Sequence, residues 1–167
     1  MNILQISKCN QLNGPGLRVV LWVAGCSHHC DCCQNEYSWD SNCGVKFDED
    51  AKKEIFSELD NDWCNGITYS GGDPLFKQNR KEIIELAKEI REKYPNKTQW
   101  LYTGYCWKDI VDDESMIEIL KYVDVICDGR YEKSLRNVDL KWVGSSNQHI
   151  IDVKKRISVI SNLSKNN

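Results

Sequence analysis

The stretch that decides the fold is LRVVLWV (Leu17–Val23), which runs directly into AGCSHHCDCC (residues 24–33). The first segment is an almost continuous run of β-forming residues, which is typical of a strand covered on both faces. The second places four cysteines and two histidines between Cys26 and Cys33. A buried strand that leads straight into a cluster of soft metal ligands is therefore the centre of both the predicted fold and the predicted site.

Downstream of this strand, strand-like and helix-like segments alternate. Further strands are predicted at residues 66–69, 99–102 and 123–127, with a short fifth strand at residues 140–143. Helices are predicted from Asp48 to about Leu59, from a capping box of Asn79 and Glu82 to Pro95, and from residue 112 or 113 through Leu120. Such alternation predicts mainly parallel strands joined by right-handed crossovers. Because 167 residues are too few for an eight-stranded barrel, we expect an α/β fold with an open sheet or a small partial (β/α) barrel.

Length, composition and charge indicate one ordinary globular domain. The chain has 41% hydrophobic and 28% charged residues, and its net charge of −3 gives no reason to expect direct binding of nucleic acid or of an anionic membrane. We expect a single domain over residues 1–160 and a polar C-terminal tail over residues 161–167. No signal peptide and no membrane-spanning apolar run is recognisable, which predicts a cytoplasmic protein with reduced thiols. An odd count of nine cysteines also argues against a disulfide framework.

Chemically distinctive residues follow the predicted strands at the points where the strands end. They are Cys26, residues 70–74 (SGGDP), residues 103–105 (TGY), residues 128–130 (DGR) and residues 144–147 (GSSN). In parallel α/β folds the loops at the carboxyl ends of the strands meet on one rim, where active sites are built. The sequence therefore predicts an active site that contains the cysteines. We also expect Gly14 and Gly16, just before the first strand, to lie at its mouth.

The spacing C-x3-C-x2-C of Cys26, Cys30 and Cys33 is compatible with three kinds of site. An iron–sulfur cluster uses cysteine thiolates, and three of them leave one iron of a 4Fe-4S cluster open to an outside ligand. A zinc site needs a fourth protein ligand, which His28, His29, Cys32 or Cys43 could supply. Simple structural cysteines are the third possibility. Spacing alone favours iron–sulfur and leaves the other two open.

The glycine pair in Gly71-Gly72-Asp73-Pro74 has a functional and a structural interpretation. Glycines at a strand end let a ligand lie against the backbone, and a nearby carboxylate favours a cationic ligand group. The alternative is an ordinary turn before a helix.

Taken together, these motifs resemble a known family. CxxxCxxC after the first strand and GGDP after the second are similar to the radical S-adenosylmethionine superfamily. The ordered set from Asn13 to Gln148 further resembles the glycyl radical enzyme activases that serve anaerobic ribonucleotide reductases; its blocks are NGPG with Arg18, GCSHHCDCCQN, YSGGDPL, LYTGY, YVDVI, DGRYEK and GS-NQ.

The resemblance implies a cofactor set, a reaction and partners. Cys26, Cys30 and Cys33 would hold a 4Fe-4S cluster whose open iron binds the amino and carboxylate groups of S-adenosylmethionine. Reductive cleavage of S-adenosylmethionine would yield a 5′-deoxyadenosyl radical, which abstracts hydrogen from a backbone glycine of the large subunit of the anaerobic reductase. The electron would come from a flavodoxin- or ferredoxin-type donor.

The resemblance also implies roles for individual residues. Gly71, Gly72 and Asp73 would hold the methionine ammonium, with Thr103 in the same cofactor-binding set. Main-chain groups of Cys32, Cys33 and Gln34 would lie along the cofactor. Asp128 and Arg130 would contact its ribose or carboxylate, although an acid–base pair after a strand is more often a surface salt bridge.

Several positions depart from the family pattern. Cys32 replaces a common glycine, Gln34 a common tyrosine and Arg130 a usual lysine, and Cys32 puts a fourth thiol beside the cluster, most simply as a spectator. His28 is interpreted as a hydrogen-bonding neighbour of a cluster sulfur, and His29 as exposed. Two other functions remain open: another small radical S-adenosylmethionine enzyme, and a zinc-binding interaction module.

Overall fold

A seven-stranded mixed sheet forms the framework of the computed structural model, which describes residues 1–165 and, for residues 160–165, the backbone alone. The strands lie in the order β3-β1-β2-β4-β5-β6-β7. Their bounds are β1 (Asn2–Asn10), β2 (Leu17–Val23), β3 (Val45–Lys46), β4 (Cys64–Gly71), β5 (Thr98–Tyr102), β6 (Val125–Asp128) and β7 (His149–Asp152). The helices are α1 (Glu49–Leu59), α2 (Arg80–Lys93), α3 (Trp107–Asp112) and α4 (Val153–Lys165).

Parallel pairing is confined to the centre of the sheet. Strands β2, β4, β5 and β6 are parallel neighbours, whereas β1, β3 and β7 pair antiparallel at the two sides. The expectation of mainly parallel strands is therefore correct for the four central strands and wrong for the outer ones. Neither β1 nor β7 was predicted from the sequence. Strand β1 is interrupted by register shifts and β7 has only four residues, so neither gives a clear strand pattern.

The central strands separate two different environments. Val19, Leu21 and Tyr69 are fully buried in the main hydrophobic core, together with Leu86 and Ile90 of α2. Because successive side chains of a strand point to opposite faces, their neighbours face the other side of the sheet. These neighbours are Arg18, Val20, Thr68, Ser70, Trp100 and Tyr102. One face of the sheet is thus sealed by helices, and the other is available for a site.

Three predicted elements are corrected by the structure. Residues 140–142 form bends and residue 143 has no regular structure, so no strand is present there. The helix expected from residue 112 or 113 through Leu120 is only a short 3₁₀ helix, Ile117–Lys121, because α3 already ends at Asp112. Asp48 does cap α1 by accepting hydrogen bonds from the backbone N–H groups of Asp50 and Ala51. The predicted capping box is absent, because the Asn79 side chain makes no cap and instead donates to the carbonyls of Ala24 and Asp73.

Gly14 and Gly16 lie at the opposite end of β2 from the cysteines, so their expected place at the active-site mouth is wrong. A seven-residue strand separates the two ends by about 20 Å. The buried Arg18 side chain holds this segment, donating to the Pro15 carbonyl at 3.3 Å and to Thr98 Oγ1 at 2.8 Å.

Helix α4 runs to Lys165, so residues 161–165 of the predicted tail are helical, and residues 166–167 lie outside the described part. All nine cysteines are free thiols. No helix within residues 1–165 has the length and apolarity needed to cross a bilayer.

Leu101→Ala tests the two-faced sheet. Leu101 is fully buried in the central strand β5, and truncating a buried leucine removes packing and leaves a cavity. We expect a loss of about 2–5 kcal/mol in the free energy of unfolding, measured by urea denaturation. Val138→Ala, at a position that is 72% exposed, is the control and should change stability by less than about 0.5 kcal/mol. Equal effects would contradict the assignment of this face to the core.

Candidate functional site

Register between the parallel strands brings four predicted loops to one rim. Val23 pairs with Gly71 at the ends of β2 and β4, and Tyr102 pairs with Cys127 at the ends of β5 and β6. The loops that follow therefore begin at the same level, as predicted. Residues 144–147 reach this rim without a preceding strand, since the backbone of Asn147 lies against Gly129.

A cavity of about 140 Å³ opens between these loops. Cys26, Cys30 and Cys33 line it together with residues from the loops after β4, β5 and β6, whereas residues 144–147 do not line it. The remaining lining residues are His28, Ser70, Gly71, Gly72, Asp73, Tyr102, Thr103, Gly104, Cys127, Gly129, Arg130, Tyr131 and Gln148. The structure thus brings together the cysteine loop and the glycine loop, which the sequence suggested only by their positions after strands.

The three cavity cysteines suit a thiolate-bound cluster. Each is partly buried, and the backbone N–H of Asn35 donates to Cys33 Sγ at 3.4 Å. Burial raises the pKa of the Cys26 thiol to about 11, so binding of iron would have to displace its proton. Within residues 1–165, no three His, Cys, Asp or Glu side chains are grouped closely enough to hold a single metal ion. Cysteine thiolates are the usual ligands of iron–sulfur clusters, and these three line one cavity, so the donor set fits a cluster.

The glycine pair has a packing role that the sequence interpretation did not include. Gly71 has φ +107°, and a Cβ there would lie 2.6 Å from the backbone N and O of Val23. A Cβ on Gly72 would lie 2.5 Å from the carbonyl oxygen of Gly25. The N–H of Gly72 donates to the Val23 carbonyl, and that of Asp73 to the Gly25 carbonyl. These glycines therefore let the loop after β4 lie directly against the start of the cysteine loop.

Asp73 is almost fully buried, and donors from three loops surround its carboxylate. Thr103 Oγ1 lies 2.9 and 3.0 Å from the two oxygens, and the backbone N–H of Gly104 donates at 2.9 Å. The N–H of Leu75 donates at 2.8 Å, and His28 Nε2 lies 2.7 Å from Oδ2. His28, predicted beside a cluster sulfur, has Asp73 as its side-chain partner.

The side chains of two predicted residues do not line the cavity, although the prediction concerned their main-chain groups. Cys32 and Gln34 are exposed and do not line it, whereas His29 is exposed as expected. Cys32 has φ +55°, in the left-handed region that favours glycine. That conformation gives a physical reason for the glycine that the family commonly has at this position.

Asp128 and Arg130 do not form the salt bridge considered as the alternative. Both oxygens of the buried Asp128 carboxylate are engaged, one by the N–H of Trp107 at 2.8 Å and the other by His149 Nδ1 at 3.0 Å. Arg130 lines the cavity, and its guanidinium donates to the carbonyl oxygen of His28. The role of Asp128 in cofactor binding stays a prediction, which these contacts do not favour.

Sequence reasoning missed the strand residues that line the cavity. Tyr102 and Cys127 alternate with the core residues Leu101 and Ile126, so they face the cavity side of the sheet. The Tyr102 hydroxyl is buried, and this burial raises the pKa of Tyr102. Alternation along β5 and β6 was the signal that could have identified both residues.

Comparison with known proteins adds a family to this geometry. Residues 12–151 match a family described as a 4Fe-4S single cluster domain. The chain is 45% identical over 150 residues to the anaerobic ribonucleoside-triphosphate reductase-activating protein of Enterobacteria phage T4, covering 90% of this chain and 93% of that protein. A protein of the same name from Pasteurella multocida is 36% identical, and the match covers 90% of this chain and 96% of that protein. One from Escherichia coli is 35% identical, with 89% of this chain and 96% of that protein covered.

Gly72→Ala tests the close approach of the two loops. The added Cβ would overlap the Gly25 carbonyl, so the loops must separate, and we expect a loss of about 1–3 kcal/mol in the free energy of unfolding. Urea denaturation under anaerobic conditions is the measurement. Gly144→Ala is the matched control, because its φ is not in the positive range and its nearest contact is a Tyr131 ring carbon at 3.1 Å. A smaller loss for Gly72→Ala than for Gly144→Ala would contradict the packing role.

Proposed function

Because this chain belongs to the family of anaerobic ribonucleoside-triphosphate reductase-activating proteins, we propose that it generates the glycyl radical of an anaerobic, class III ribonucleotide reductase. It is a radical S-adenosylmethionine oxidoreductase that uses a 4Fe-4S cluster. The observation that carries this function is the single cavity that contains Cys26, Cys30, Cys33 and the glycine loop.

Cys26, Cys30 and Cys33 would be the protein ligands of the cluster, with one iron left open. When bound, the cluster supplies the electron that cleaves S-adenosylmethionine, so that hydrogen is removed from the target glycine. The chain contributes a rim that excludes water and fixes where the cofactors lie. Support for this ligand set comes from the position of all three thiols on one cavity wall and from the family match.

The remaining cofactor contacts are assigned to the rim loops. The backbone of Gly71, Gly72 and Asp73 would receive the methionine ammonium, because the Asp73 carboxylate is already occupied. Thr103 would act by holding that carboxylate. Main-chain groups of Cys32, Cys33 and Gln34 would follow the cofactor, and Arg130, at the cavity edge, would meet its carboxylate or ribose.

The finer architecture and setting belong to the same proposal. Residues 1–160 would act as one domain, since the core extends from Ile3 to Val153, and the sheet would curve as a partial (β/α) barrel with helices outside and the cavity inside. A flavodoxin- or ferredoxin-type protein would donate the electron in the cytoplasm. Free thiols at all nine cysteines are consistent with that reducing compartment.

A protein substrate suits a chain of this size. The cavity is bounded by loops on a small sheet, and no further domain within residues 1–165 closes over it. A loop of the reductase that carries the target glycine would complete the enclosure. Activation of a different glycyl radical enzyme would use the same arrangement, and is distinguished by the partner on which the radical forms. The zinc-binding module has no support from the family match.

Cluster content tests the ligand assignment. After anaerobic reconstitution, we expect about four irons and four sulfides per chain, and an EPR signal of the dithionite-reduced protein that changes when S-adenosylmethionine is added. Cys26→Ala should lose the cluster and the formation of 5′-deoxyadenosine. Cys32→Gly is the matched control, since it removes an exposed thiol from the same loop at a left-handed position. Loss of the cluster in Cys32→Gly, or zinc in place of iron, would overturn the assignment.

Formation of the radical on the partner tests the function itself. The reduced, reconstituted chain is mixed anaerobically with a class III reductase and S-adenosylmethionine, and a glycyl radical EPR signal on the reductase is expected. Replacing the target glycine of the reductase by alanine should abolish the signal. S-adenosylmethionine cleavage without any radical on this reductase would favour a different substrate.

A further inference from the structure

One side-chain pair links the two loops that the cofactors require. His28 lies between Cys26 and Cys30 in the chain, and its Nε2–H donates to Asp73 Oδ2 at 2.7 Å. Asp73 belongs to the glycine loop. The His28 side chain is 12% exposed and that of Asp73 is 1% exposed, so water competes little for this hydrogen bond.

The Asp73 carboxylate is held in place by donors from the loops after β4 and β5. It accepts hydrogen bonds from the backbone N–H groups of Leu75 and Gly104 and from the Thr103 hydroxyl. Two carboxylate oxygens offer about four lone-pair positions, and these donors together with His28 occupy them. The carboxylate therefore has no free position with which to bind a cofactor ammonium directly.

The His28 end is fixed by packing. Its ring contacts the Tyr105 ring edge to face, with centroids 4.6 Å apart. A Cβ on Gly104 would lie 2.4 Å from the His28 ring, so this ring position requires glycine at residue 104. The same histidine is bound through its backbone carbonyl by Arg130.

We propose that His28 and Asp73 are positioning residues, which set the distance between the cluster-binding loop and the glycine loop. The inference rests on the proposed function, because it concerns how this chain places an open iron relative to the backbone that receives methionine. Asp73 acts through His28 and does not contact S-adenosylmethionine with its carboxylate. Because His28 acts on the glycine loop through Asp73, removing His28 should weaken cofactor binding, and removing it from a chain that already lacks the Asp73 carboxylate should weaken binding no further.

Affinity for S-adenosylmethionine measures this coupling without relying on turnover. The reconstituted, dithionite-reduced chain is titrated with S-adenosylmethionine. At each concentration the fraction of the cluster whose EPR signal has shifted is recorded and normalised to the iron content. We expect His28→Ala to bind about tenfold more weakly than the wild type. Asp73→Asn should bind at least as weakly as His28→Ala, because its carboxylate also accepts from Leu75, Thr103 and Gly104, and the double variant should bind no more weakly than Asp73→Asn. His28→Gln, whose amide N–H can still donate to Asp73, should return within about threefold of the wild type.

His149→Ala is the matched control, because it also breaks a histidine–aspartate contact, between His149 Nδ1 and Asp128 Oδ1 at 3.0 Å. The His149 side chain is 68% exposed and does not line the cavity. It should bind S-adenosylmethionine as the wild type does. Thermal unfolding midpoints of His28→Ala and His149→Ala should agree within a few degrees, which separates positioning from general stability.

Several outcomes would overturn the inference. They are an unchanged affinity of His28→Ala for S-adenosylmethionine, a loss of affinity in the double variant equal to the product of the two single losses, or an affinity of His28→Gln no higher than that of His28→Ala. If His28→Ala takes up no cluster, uptake by His28→Gln supports the inference and its failure overturns it. Tighter binding in Asp73→Asn than in His28→Ala would also overturn it, because Asp73 is the group through which His28 acts. A wild-type chain without a cluster signal that responds to S-adenosylmethionine would instead refute the proposed function.

Discussion

Burial of the Asp73 carboxylate is the constraint on which the geometry of the site depends. An ionised carboxylate that is almost fully removed from water is tolerated only when hydrogen-bond donors replace its hydration. Here the donors come from the cysteine loop, from the glycine loop itself and from the loop after β5. These loops are therefore held together by one group, and loss of any donor would leave a buried lone pair unsatisfied at a cost of about 1–3 kcal/mol.

Much of the fold could be predicted because burial leaves a strong pattern in the sequence. In β2 a nearly continuous apolar run reflects a strand buried on both faces. In α2 the spacing of Ile83, Leu86 and Ile90 places one apolar side chain per turn against the core. The outer strands β1 and β7 have no such pattern, since β1 is only partly buried and β7 is largely exposed. Residues 140–143 have β-forming side chains but no neighbouring strand, so tertiary context overrode local propensity there.

The cysteines of the candidate site could be recognised in the sequence, whereas the residues that support them could not. Cysteine spacing is visible in the chain, whereas the contact between His28 and Asp73 joins residues 45 positions apart and depends on the register of β2 and β4. Gly71 and Gly72 were predicted to let a ligand approach the backbone, and the structure adds a packing role, because their missing side chains admit the backbone of Val23 and Gly25. For Asp128 the family resemblance implied a cofactor contact, while in the structure its oxygens are used by Trp107 and His149.

The cavity beside the cysteines is small and borders a larger groove. Pockets for drug-sized ligands are usually about 300–1,000 Å³, whereas the cavity beside the cysteines has about 140 Å³. A larger groove of about 690 Å³ adjoins it and shares Cys30, Arg130 and Tyr131 as lining residues. Arg130, which borders both spaces, donates a hydrogen bond to the His28 carbonyl. The residue at the boundary is therefore bonded to the same histidine whose side chain joins the cysteine loop to the glycine loop through Asp73.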